Sequence, residues 1–82
     1  MQTIFILIKC ELGRTYDVAS AIMEDIERTR VSEIFSISGQ FDLLAKFYLD
    51  DQIDVGQFVN DRIHSFSGIK DTQTMMTWKA FH

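Results

Sequence analysis

The sequence contains no proline and a single cysteine, and only 4 of its 82 residues are glycine. With no proline-rich or low-complexity stretch to serve as a linker, residues 1–82 are expected to form one domain. A lone thiol, Cys10, can neither close an internal disulfide nor furnish a multi-cysteine metal site. Basic residues are scarce, with 8 Lys and Arg against 12 Asp and Glu, for a net charge of −4. That balance argues against a nucleic-acid partner, because neutralising phosphates needs a clustered basic surface. No apolar run approaches the roughly 20 residues that span a bilayer, so no membrane partner is expected. The run Ile4 to Ile8 lacks the basic start and small-residue cleavage site of a signal peptide and ends at Lys9-Cys10-Glu11. The expected location is the cytoplasm.

What is present has a globular balance: 46% hydrophobic, 12% aromatic and 24% charged residues. Gln2 to Lys9 is a β-branched and aromatic run too short for a good helix, and reads as a strand buried on both faces. Gly13-Arg14-Thr15 breaks it. Thr15 is the expected N-cap of a helix with Asp17 in its first turn, where the helix dipole favours an anion. Val18, Ala19, Ile22, Met23 and Ile26 recur at helical spacing over about four turns, with Glu24, Asp25, Glu27 and Arg28 mostly on the opposite side. Val31 to Ser38 reads as a second strand, and Ser38-Gly39-Gln40 as a turn in which Gly39 takes a positive φ. Phe41 to Leu49 follows as a third strand, apolar at every odd position, which makes an antiparallel hairpin.

Asp50-Asp51 signals a second helix carrying Val55, Phe58, Val59, Arg62, Ile63 and Phe66, ended by Ser67-Gly68. Ile69 to Phe81 is expected to be the last strand. The order β-α-β-β-α-β predicts an α+β ferredoxin-like sandwich: a four-stranded antiparallel sheet with both helices on one face.

Such a sheet leaves its other face bare, and here that face is not polar. In the first strand Ile4, Ile6 and Ile8 point one way while Phe5 and Leu7 point the other. Leu44 and Tyr48 oppose the core-facing set of the hairpin, and Met75 and Phe81 do so in the last strand. The exposed patch would be on the order of several hundred Å2, more than soluble monomers usually tolerate. Pairing of two copies through this face, as a dimeric α+β barrel, is the expected remedy. The plainer alternative is that the chain termini cover the strand ends.

The chemistry-bearing residues are few. Neither a Gly-rich phosphate loop nor HExxH, CxxC or a Ser-His-Asp pattern occurs, so no catalytic residue, metal site or cofactor is expected. His64 reads as a surface histidine near a helix C-terminus, His82 as a frayed terminal residue, and Cys10 as a small buried hydrophobe. Asp42, just past the Gly39-Gln40 turn, is either a turn-stabilising carboxylate or an anion suited to grip an ammonium. Turn amides around Gly39 can donate to a carboxylate. Thr72 and Thr74 point the same way along the last strand. They are simple strand formers or a pair of hydroxyls, next to adaptable apolar contact from Met75 and Met76. An ammonium site, a carboxylate site and a soft apolar wall together would suit a free amino acid.

Two motifs carry a resemblance. Ser38-Gly39-Gln40-Phe41-Asp42-Leu43-Leu44 and Gly68-Ile69-Lys70-Asp71-Thr72-Gln73-Thr74, at their positions in this element order, resemble the ligand-binding and oligomerisation (RAM) domain of the Lrp/AsnC regulators. The likeness runs from Ile4 to about Lys79. It implies a homodimer built by sheet packing and assembled further into rings such as octamers, with amino-acid effectors bound at contacts between dimers. It also implies effector contacts at Gly39, Gln40, Asp42, Thr72, Thr74, Met75 and Met76, and a response influenced by Thr77. The helix-turn-helix typical of the family does not precede the first strand in this sequence. The resemblance is therefore to the stand-alone form, a non-enzymatic module acting in transcriptional regulation, alone or by co-assembly with full-length regulators. Two alternatives stand beside it: a small dimeric α+β-barrel enzyme of monooxygenase or isomerase type, marked by a deep pocket lined by His64 or Tyr48, and a purely structural assembly domain.

Overall fold

The structure, a computed structural model, describes residues 1–81; the expectation for His82 lies outside them. Its elements are β1 (Gln2–Cys10), α1 (Thr15–Glu24), α2 (Ile26–Thr29), β2 (Val31–Ser36), β3 (Leu43–Leu49), α3 (Val55–Phe58), a π-helical turn (Val59–Ile63) and β4 (Ile69–Met76). All strands are antiparallel in the order β2-β3-β1-β4. This is the expected ferredoxin-like arrangement, with each crossover helix broken in two.

Strand alternation sets the two faces. Ile4, Ile6 and Ile8 of β1 and Leu43, Ala45, Phe47 and Leu49 of β3 are buried beneath the helices. Val18 and Ile22 of α1, Phe58 of α3, and Val59 and Ile63 of the π turn close over them. The Phe47 and Phe58 rings meet edge to face, 5.7 Å between centroids, an arrangement worth about 0.5–1.5 kcal/mol beyond its buried area. This contact fixes α3 to the sheet.

Several boundaries differ from the sequence expectation, each for a local reason. Thr15 does not cap α1. Arg14 occupies the N-cap without a side-chain capping bond, and Thr15 is the first helical residue. The helix does not continue through Ile26 because Asp25 leaves helical geometry at φ −111°, ψ 46°. Ile26, placed on the core stripe by periodicity, is therefore exposed, and Met23, placed on the same stripe, is exposed on the last turn of α1. Thr29 makes good the break: its hydroxyl donates to the Ile22 carbonyl (3.2 Å) and accepts from the Val31 amide (3.4 Å). The second helix starts not at Asp50-Asp51 but at Asp54, whose carboxylate accepts from the Gln57 amide at 3.1 Å. Asp51 instead pairs with the N-terminal ammonium. Arg62, read as part of the core stripe, is exposed.

The strands are also shorter than expected. β2 stops at Ser36 and β3 starts at Leu43. β4 ends at Met76, opposite Ile4, while β1 continues two residues further along β3. The Thr77 hydroxyl still donates to the Thr3 carbonyl (2.8 Å), but residues 77–81 belong to no element. Gly39 has the expected positive φ of 110°. At Gly68, φ is 94° and an added Cβ would stand 3.0 Å from a Val18 methyl. Here glycine serves both the left-handed turn and the close approach of α1.

Candidate functional site

The π turn decides what faces β4. Its defining bond runs from the His64 amide to the Val59 carbonyl, five residues back, at 2.9 Å. In that wide turn Ile63 is fully buried while His64, next in the chain, reaches the edge strand. His64 Nε2 and Thr72 Oγ1 are 2.8 Å apart, a hydrogen bond whose direction depends on the imidazole tautomer. Thr72, Thr74 and Met76 share the helix-side parity of Ile8, Ile6 and Ile4, with which they pair.

Between the π turn and β4 lies an open cleft of about 460 Å3, within the usual range for small-molecule sites. Asn60, His64, Thr72 and Thr74 give it polar groups, and Val55, Val59 and Met76 give it an apolar wall. The mixture offers hydrogen-bonding partners for a charged head group and van der Waals contact for an aliphatic one.

The residues expected at the site fall into three places. Thr72, Thr74 and Met76 come together in the cleft. Met75 lies on the opposite face of the sheet, paired with Phe5. Gly39, Gln40 and Asp42 lie at the turn between β2 and β3, beyond β1 from the cleft. Asp42 is anchored there by its whole backbone as well as its side chain. Its amide donates to the Ile8 carbonyl (2.9 Å), its carbonyl accepts from Ile37 (3.0 Å), and its carboxylate accepts from the Cys10 amide at 2.8 Å. Cys10 is buried, as expected. Burial pushes its thiol pKa up, the Asp42 charge adds to that, and a hydrogen bond with Thr15 opposes them.

His64 is the group sequence reasoning placed differently. It is exposed, as a surface histidine should be, yet it lines the cleft through a contact with β4. The available signal was the Asn60–His64 spacing beside the core stripe, opposite a strand with alternating threonines. A second groove, of about 330 Å3, carries Arg28, Arg30 and Arg62 interleaved with Glu27, Asp54 and Asp61. Its charges are balanced, three of each sign. Among the described residues, no group of three or more His, Cys, Asp or Glu side chains could hold a metal, and no helix is long and apolar enough to cross a membrane.

Residues 3–81 match the family model described as the Lrp/AsnC ligand binding domain. The chain belongs to that family. The Lrp/AsnC domain is a regulatory ligand-binding unit and not an enzyme family, which sets the enzymatic alternative aside. His64 lines an open cleft and Tyr48 lies on the other side of the sheet. The HTH-type transcriptional regulator FL11 of Pyrococcus furiosus is 29% identical over 76 residues, covering 93% of this chain and 48% of that protein. The chain thus spans about half the length of the curated relatives it matches. The solved structure of TTHA0845 from Thermus thermophilus superposes with a TM-score of 0.86 at 30% identity, covering 100% of this chain and 99% of that one. The transcriptional regulator NMB0573 of Neisseria meningitidis, solved as a complex with L-Met, shares the fold, with a TM-score of 0.82 at 21% identity over 99% of this chain and 52% of that one.

Proposed function

We propose that this Lrp/AsnC domain senses a free amino acid and converts its binding into a change of assembly. The cleft carries the reading. One lining holds an imidazole, a carboxamide and two hydroxyls, suited to the charged head group, and the other holds two valines and a methionine, suited to an aliphatic side chain. That a regulator of the same fold holds L-Met supports an amino acid as the ligand class.

Assembly starts from the bare face of the sheet. Phe5, Leu7, Phe35, Leu44, Tyr48 and Met75 lie on it, with Phe35 49% and Tyr48 42% exposed. Lys46 stands among them, its ammonium 5.0 Å from the Tyr48 ring centre and 5.9 Å from that of Phe5. Across the β2–β3 pairing it faces Glu33. The centre of the face is thus apolar and electroneutral in a chain of net charge −4, so two copies meet there without like-charge repulsion. A homodimer through this face is the first step and rings of dimers the second. In such a ring the Gly39-Gln40-Asp42 turn of a neighbour supplies what the cleft of a single chain lacks. Co-assembly with full-length regulators follows the same surfaces, and the work is done in the cytoplasm.

Coupling requires only that the effector bind one assembly state more tightly than another. The test is light scattering and thermal denaturation with each of the twenty amino acids. At least one is expected to shift both the particle size and the midpoint, and to lose that effect in Thr74→Val. If none moves either quantity, the sensing reading is wrong.

A further inference from the structure

A single ionisable side chain lines the cleft between the π turn and β4. Apart from His64, the lining is valine, glycine, asparagine, threonine and methionine, none of which carries a charge. A free amino acid brings two charges, a carboxylate and an ammonium. Within one chain, the imidazole is therefore the one group that can meet either of them with a full charge.

His64 is placed to do so in either protonation state. Its Nε2 lies 2.8 Å from Thr72 Oγ1, and that hydroxyl can accept from an Nε2–H or donate to a bare Nε2. Nδ1 has no hydrogen-bond partner among the described residues. The charged neighbours come in opposite pairs. Asp61 and Arg62 stand just before His64 on the π turn, and Lys70 and Asp71 just before Thr72 on β4. Val55 and Gly56, which face the cleft from α3, carry no charge. The Asp61 carboxylate accepts from the Asn60 side chain (3.4 Å) and that of Asp71 from the Thr72 amide (2.9 Å). Among the described residues neither makes an ion pair with the imidazole. A protonated His64 has no counter-ion of its own.

We infer that the cleft takes up its ligand together with a proton, the ligand's carboxylate accepting the Nδ1–H of a positively charged His64 whose Nε2–H donates to Thr72. A neutral imidazole has one N–H. With that hydrogen on Nε2, the Nδ1 lone pair confronts the carboxylate. With it on Nδ1, the bond to the ligand lacks the imidazolium charge and is weaker. The charged ring serves both partners at once. His64 is then a specificity-determining residue: it selects a carboxylate over an alcohol or amide of the same skeleton, while the valines and Met76 read the side chain. The inference rests on the amino-acid reading above and adds a direction to it. Binding takes up a proton wherever the free ring is neutral and the occupied ring charged. Affinity therefore rises as pH falls through that range, and levels off once the free ring is itself protonated.

The probes are L-methionine, the ligand held by the regulator of like fold, and L-methioninol, which lacks the carboxylate. Each is titrated calorimetrically into the full chain between about pH 5.5 and 8.5, in buffers of different ionisation enthalpy. L-Methionine is expected to bind roughly tenfold more tightly at the acid end, the ratio between a charge-assisted hydrogen bond and a neutral one, with uptake of at most one proton. L-Methioninol is expected to gain nothing there. His64→Gln keeps a donor that cannot titrate, and is expected to hold L-methionine affinity at its alkaline value throughout. His82→Gln is expected to keep the original profile. A flat L-methionine profile overturns the proton-linked mode and leaves the cleft reading standing. A slope that survives His64→Gln overturns the assignment to that residue, and an equal slope for L-methioninol overturns the carboxylate as its partner. L-Methionine that binds at no pH overturns the inference; if no other amino acid binds either, the amino-acid reading falls with it.

Discussion

The Asp42 carboxylate accepts the amide of Cys10 at 2.8 Å, so an ionised side chain ties the β2–β3 turn to the last residue of β1. A hydrogen bond to a charged group contributes about 1.5–3 kcal/mol, toward the lower end where the pair is only partly buried. Asp42→Ala is therefore expected to cost about 1–2 kcal/mol in urea denaturation, and Asp42→Asn less, because it keeps an acceptor oxygen. A loss of effector response in Asp42→Ala is interpretable only after this stability cost is measured, with Asp42→Asn as the control.

On the cleft side, His64→Leu removes the partner of the Thr72 hydroxyl at an exposed position. The resting protein is expected to lose no more than about 0.5 kcal/mol, as is usual for surface substitutions. The thermal shift produced by an effective amino acid is expected to shrink markedly. Calorimetric titration of the variant with that amino acid checks the point. An unchanged affinity would place the head group elsewhere.

Leu44 stands between Leu7 and Phe35 on the bare face. Leu44→Glu adds a charge where two copies are proposed to meet, with little consequence for the core on the other side of the strand. The expected result is a single folded chain at micromolar concentration, read by sedimentation, with an unaltered far-ultraviolet spectrum.

Cys10 gives the protein a pH dependence of definite sign. Its thiol pKa is raised above the ordinary value of 9.0, so the folded state binds that proton more tightly than the unfolded chain does. This contribution is intact below about pH 9 and is lost as pH rises through the higher folded value. Cys10→Ala is expected to flatten the alkaline limb of the stability profile, and thiol labelling of the native protein at about pH 8 is expected to be slow.

Gly68→Ala tests the packing of α1. It places a methyl 3.0 Å from Val18 Cγ2 at a φ of 94°, where side chains are strained by about 1–3 kcal/mol. A drop in thermal midpoint is expected, larger than for alanine at Gly56, whose nearest neighbour would be an Asp54 oxygen at 3.5 Å.

The parts of the fold that were legible in the sequence are those set by local pattern. The alternation of β3 and the two-faced hydrophobicity of β1 follow from side-chain period alone, and they imply the sheet, its order and its bare face. What local pattern could not supply depends on distant partners. Ile26 keeps helical spacing, but Asp25 breaks the helix before it and turns it outward. Trp78 to Phe81 look like strand because of their aromatic residues, yet pairing with β1 stops at Met76 and Ile4, two residues before β1 itself ends. At the site, the threonines and Met76 were visible from parity along β4. His64 was named only as a surface group or as the lining of an enzyme pocket, because its contact with Thr72 depends on the π turn. Asp42 was visible as an anion near a turn, but its bond to Cys10 needs the β1–β3 register to be seen.

That Thr72, Thr74 and Met76 sit on β4 has a consequence for how such a domain diversifies. β4 borders the sheet and leans on β1 alone, whereas β1 and β3 each hold two neighbours. Replacing one letter on this outer ribbon disturbs a single ladder and leaves the oily interior as it was. On the proposed reading of the cleft, the scaffold can therefore change its taste in small molecules without relearning how to fold.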